Sequence, residues 1–148
     1  MNVTRLNKPK QILNIERAKR ALDDLTLIAY SRMTGEAEKA AATLAAAGIG
    51  CDVIDLRSLA PLDADTCAAS VEKTGRAIIV CEDCRTAGVS AEVSARITEE
   101  CFDFLRAPVR RVAAADAPVP CSDVLEKAAL PDAGKVVEAA LELLRQYP

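Results

Sequence analysis

This 148-residue chain contains no histidine and no tryptophan, and aromatic residues make up only 3% of it. Without imidazole it cannot build a Ser–His–Asp or Cys–His nucleophile. It also has no imidazole metal ligand and no proton shuttle poised near neutral pH. Any chemistry of its own would rest on carboxylates, thiols, lysines or a bound cofactor. No run approaches the roughly 18–20 consecutive apolar residues of a membrane span. The first twenty residues carry Arg5, Lys8, Lys10, Arg17, Lys19 and Arg20 but no apolar block of signal-peptide length. These features predict a soluble, cytoplasmic protein with no membrane partner. Nor is there a concentrated basic face: 19 Lys and Arg stand against 22 Asp and Glu, a net charge of −3. Nucleic acid is therefore not an expected partner.

What the chain does have is aliphatic bulk, 51% hydrophobic residues, mostly Ala, Leu and Val, in a length that suits one domain with a real core. Its six cysteines, at 51, 67, 81, 84, 101 and 121, should stay reduced in the cytoplasm. Three of them fall on apolar stripes and read as small core residues.

The polar opening, broken by Pro9, reads as a flexible arm over residues 1–12, with one domain over 13–148. Short extended candidates flank Asp23–Asp24, the better one being Leu25–Tyr30. A helix follows with Thr34 as its cap, Ala37, Ala40, Ala41, Leu44 and Ala45 on one stripe, and Gly48 at its end. Cys51–Leu56 is a strand. Asp63 caps the next helix, whose inner face is Cys67, Ala68 and Val71 and which stops at Thr74–Gly75. The continuous apolar run Ala77–Cys81 suits a strand buried on both faces. Gly88 opens a helix with Val89, Val93, Ile97 and Cys101 inward. A strand starts at Val109, a short helix lies near Val124–Ala129, and a final helix runs from about Asp132 to Arg145 with Val137, Ala140, Leu141 and Leu144 inward. Strands alternating with helices predict a doubly wound α/β sheet.

The segment "CEDCRTAG" puts Cys81 and Cys84 in a CxxC spacing. A zinc site needs four ligands, and no second pair exists. A thioredoxin-type pair needs a lowered thiol pKa, whereas Glu82 and Asp83 between the thiols would raise it. Packing is the leading reading of the pair, and a redox pair is the alternative. The loops Ser31–Gly35 and Cys81–Gly88 both fall at the carboxyl ends of strands, where open α/β sheets bind ligands. Arg32, Thr34, Gly35 and Arg85 form a candidate anion-binding rim there, although neither loop has a dinucleotide or Walker spacing.

The stretches "LTLIAYSRMTGEAEKAAATLAAAGIGCDVIDLRSLAPLD", "GRAIIVCEDCRTAGVSAEV", "APVRRVAAADAPVP" and "LEKAALP" resemble the C-terminal domain of the transketolase family. The nearest resemblance is to the β subunit of the thiamine-diphosphate-dependent decarboxylating component of 2-oxoacid dehydrogenases, which act on pyruvate, branched-chain 2-oxo acids or acetoin. Tyr30–Met33, Asp55–Asp63 and Leu125–Pro131 carry it most specifically. The resemblance implies a three-layer sandwich with a mixed, mostly parallel five-stranded sheet, Ile12–Ala18 being its antiparallel edge. It places thiamine diphosphate and magnesium in a pyrimidine-binding domain and an α subunit outside this chain, and no catalytic, cofactor-binding or metal-binding residue within it. The implied role is assembly: homo-oligomer formation, contact with the α subunit or a pyrimidine-binding chain, and docking of the acyltransferase core. No activity is expected of the chain alone. A standalone module for a small anion or nucleotide is the alternative. Ala87 and Ser90 stand where the family often has glycine, and Cys121 where it often has an aromatic residue.

Overall fold

The computed structural model describes residues 23–148. The arm over residues 1–12 and the strand expected at Ile12–Ala18 lie outside the described residues. Strand β1 (Asp23–Tyr30) sits inside the sheet, flanked by β2 (Gly50–Leu56) and β3 (Ala77–Cys84), and β4 (Arg110–Ala114) lies beyond β3. All three pairings are parallel. Among the described residues the sheet therefore has four parallel strands in the order β2-β1-β3-β4, not the mixed five expected.

Both faces of the sheet are apolar, which is why its central strands show no polar alternation. Leu25, Leu27, Ala29, Val53, Ile78 and Val80 face one layer of helices, while Ile28, Tyr30, Ile54, Leu56, Ile79 and Cys81 face the other. The first layer is α1 (Met33–Ala46) with the C-terminal helix, and the second is α2 (Ala64–Thr74) with α3 (Val89–Cys101). Thr26 is the polar exception in β1. Its buried hydroxyl meets those of Ser70 and Thr74 in α2, each at 2.8 Å, so it brings no unpaired group into the core.

Local chemistry sets the helix ends. The Asp63 carboxylate caps α2 by accepting from Thr66 N at 3.2 Å, and Gly75 ends it in the left-handed conformation at φ +70°. Thr34 does not cap α1. That helix starts at Met33 after Arg32, and Thr34 lies buried in its first turn. The short helix α4 (Asp123–Ala129) and the final helix α5 (Ala133–Gln146) complete the chain.

In α5 the buried residues are Val136, Ala140 and Leu143; of the stripe expected Ala140 is buried and Val137 partly so, whereas Leu141 is 41% exposed. The alanine-rich sequence offers two overlapping stripes, and tertiary anchors choose between them. Glu36 of α1 accepts from Ala133 N at 3.0 Å at one end of α5. At the other end the Arg76 guanidinium donates to Tyr147 O through Nε at 3.0 Å and Nη2 at 2.7 Å.

Candidate functional site at the carboxyl rim

The connection after β1 leads to a helix on one face of the sheet, and that after β3 to a helix on the other. The gap between β1 and β3 is thus the topological switch point, where a doubly wound sheet opens a crevice. Both loops entering it carry a non-glycine residue at positive φ, Ser31 at +55° and Ala87 at +58°. Such conformations persist where the surroundings hold them. Here Thr86 donates twice to Asp116, from N at 2.8 Å and Oγ1 at 2.6 Å, and Arg111 donates to Arg85 O at 2.6 Å. Asp83 accepts from Val89 N at the start of α3. A Cβ at Gly88 would run into the Cys84 carbonyl and the Asp83 carboxylate, so only glycine fits this wrapped loop.

The expected anion-binding residues do not converge on one point. Arg32 Nε lies 3.6 Å from Glu82, bridging the crevice from the β1 loop to β3. The Thr34 hydroxyl donates to Asp55 at 2.8 Å, and Asp55 also meets Arg57 at 2.7 Å. Gly35 lies within α1. Arg85 sits beside Asp116, whose carboxyl is held below its ordinary range chiefly by the Thr86 hydrogen bonds and slightly by Arg85. The arginines of this rim each face a carboxylate.

Strand β3 runs through Cys84, but its register with β4 shifts between Val80 and Cys84, so the CxxC spacing falls on an irregular stretch of the strand. Cys81 is buried, and burial, followed by the Asp83 hydrogen bond, pushes its thiol up to about 12, while Cys84 is exposed. Cys81 belongs to a buried polar cluster with Tyr30, Asp83 and Ser90. The Tyr30 hydroxyl is raised by burial first and by the neighbouring Cys81 and Asp83 next.

The arrangement holds two things that the sequence reading missed. One is the carboxylate set Asp55, Glu82 and Asp83 that binds the rim. A lone Asp at position 55 within the apolar "VIDL" was the available signal. The other is the exposure of α4, in which no residue is buried. Val124 is 76% exposed and Leu125 56%, with Val119 before them at 55%. Asp123, Glu126, Lys127 and Leu130, spaced along the opposite side, line a cavity of about 180 Å³ together with Arg32.

Comparison with known proteins places this geometry. Residues 16–136 match the family model described as "Transketolase, C-terminal domain". The chain is 47% identical over 117 residues to the pyruvate dehydrogenase E1 component subunit beta-1, mitochondrial, of Arabidopsis thaliana, covering 79% of this chain and 32% of that protein. It is 42% identical over 126 residues to the acetoin:2,6-dichlorophenolindophenol oxidoreductase subunit beta of Bacillus subtilis, covering 85% and 37%. A solved structure described as a split gene transketolase, inactive beta4 tetramer, superposes with a TM-score of 0.71 at 27% identity, covering 85% of this chain and 41% of that one. The chain thus spans about a third of the length of the curated relatives it matches.

Proposed function

The chain belongs to the transketolase C-terminal domain family, and we propose that it is the assembly domain of the β subunit of a pyruvate-type, thiamine-diphosphate-dependent 2-oxoacid dehydrogenase. The observation that carries this reading is the exposed helix α4. It leaves Val124 and Leu125 in solvent, with Val119 also exposed, while its charged residues line a cavity together with Arg32. Such a helix gains nothing from solvent, and its outer face suits an apolar partner. Both phenylalanines of the 3-10 turn Phe102–Phe104 also stand out, at 72% and 50% exposure. Aromatic residues in that setting are frequent anchors of subunit contacts.

The proposed occupant of the α4 face is the cofactor-holding part of the enzyme, a pyrimidine-binding domain or the α subunit. In the assembled complex the domain would also support β–β association and docking of the acyltransferase core. The described residues do not fit a diphosphate–magnesium site of their own. No three carboxylates or thiols converge to hold a metal, and the rim arginines face carboxylates. No catalytic step is assigned to this chain. Among the described residues no helix is long and apolar enough to cross a membrane.

The test is co-expression of the tagged chain with a pyruvate-type α subunit and with a β-subunit segment carrying the pyrimidine-binding domain. Stoichiometric co-purification is expected. Val124→Asp with Leu125→Asp should abolish it without lowering the melting temperature, since both side chains are exposed. Recovery of the wild-type chain alone from both co-expressions would overturn the reading.

A further inference from the structure

The cavity between α4 and the start of α1 lies at the switch-point rim and has no part in the assembly face, which points the other way. Four of its lining residues are charged: Arg32 and Lys127 are cationic, and Asp123 and Glu126 are anionic. Opposite charges this close usually find one another, yet here they do not. Arg32 pairs with Glu82 at a loose 3.6 Å with its side chain 56% exposed, and none of Asp123, Glu126 and Lys127 closes an ion pair among the described residues. Leu130, buried, supplies an apolar lining between them.

We propose that this cavity binds a small dipolar molecule of α-amino acid type, its carboxylate toward Arg32 and Lys127 and its ammonium toward Asp123 and Glu126. Three features select that chemistry. The volume of about 180 Å³ is below the roughly 300–1,000 Å³ of drug-sized pockets and suits a ligand of a few heavy atoms. A ligand of one sign would meet as much repulsion as attraction, whereas a zwitterion satisfies both pairs with charge-assisted hydrogen bonds. Through Arg32 the site also borders the loop at the carboxyl end of β1, the rim that an open α/β sheet uses for ligands. The strained Ser31, at φ +55°, immediately precedes Arg32 and sets where that side chain leaves the loop.

The experiment is an amide-correlation NMR titration of the full chain with L-alanine as the probe, with propionate and ethylammonium as single-charge controls. Saturable shifts are expected at Arg32, Lys127 and Leu130 with L-alanine, and binding roughly tenfold weaker or more for each control. Arg32→Ala and Glu126→Gln, each checked for an unchanged fold by the dispersion of the remaining signals, should each weaken alanine binding by about tenfold. Shifts that rise linearly without saturation would overturn the proposal. So would propionate binding as well as alanine, which would mean an anion seat only, or undiminished binding in both variants. Because the isolated chain is used, failure here leaves the assembly role standing, and failed co-purification would leave this site standing.

Discussion

Replacing Thr34 by valine is the sharpest probe of how the rim is built. Thr34 is 4% exposed, and its hydroxyl donates to Asp55 Oδ1 at 2.8 Å, tying the first turn of α1 to the end of β2. Valine keeps the shape and removes only that donor. A hydrogen bond to a charged group is worth about 1.5–3 kcal/mol. Asp55 would keep Arg57 at 2.7 Å, so the carboxylate is not stranded, and the lower end applies, about 1.5–2 kcal/mol. In a domain of this size one kcal/mol moves the melting temperature by about 2–4 °C, which gives a fall of roughly 3–8 °C. Urea unfolding followed by far-UV circular dichroism measures it directly, with Thr34→Ser as the control that keeps the hydroxyl and loses one methyl group, about 1 kcal/mol. If Thr34→Val stayed within about 0.5 kcal/mol of wild type, the range of an ordinary surface change, the hydroxyl would not be committed to Asp55. The sequence reading, in which Thr34 is available to an anion, would regain its ground.

Arg76→Ala should cost about 2–4 kcal/mol, because it removes a buried fork of two donors and the positive charge that complements the carboxyl end of α5; Arg76→Lys should fall between, and equal stability of all three in urea would refute the anchor. Ellman's reagent should titrate Cys84 and Cys121 rapidly in the native protein and all six thiols in denaturant, since burial raises Cys101 and pushes Cys51, Cys67 and Cys81 up to about 12; labelling of Cys81 as fast as Cys84 in the native protein would refute its burial. The Glu36 carboxyl is held below its usual range, first by the Lys39 hydrogen bond and also by Ala133 N. Its contribution is therefore complete above the unfolded carboxyl value of about 4.3 and lost as pH falls through the lower folded value. Glu36→Gln should be less stable than wild type at neutral pH and converge with it in acid, and parallel stability curves across that range would rule the linkage out.

Where local pattern and tertiary demand coincide, the fold was readable from residues alone. The run Ala77–Cys81 suits a strand buried on both faces and forms one, and Asp63 with Gly75 bracket α2 because capping acts within one turn. Where two local answers were equally good, the choice was made from far away. The roll of α5 depends on Glu36 and Arg76, which lie 97 and 71 residues from their partners, Ala133 and Tyr147. No window of α5 itself contains that information. The end of β3 shows the same limit, because Glu82 and Asp83 look like loop residues, yet the strand runs past them and, after a register shift, pairs Cys84 with Ala114 near the clasp from Thr86 to Asp116 and the bond from Arg111 to Arg85. Helix α4 is the opposite case. Its short pattern is legible as a helix, but it leaves Val124 and Leu125 in solvent, and its charged residues, Asp123 and Lys127 exposed as well, line a cavity with Arg32. Apolar side chains left in solvent are what the proposed assembly role requires of α4, because its partner surface would have to cover them.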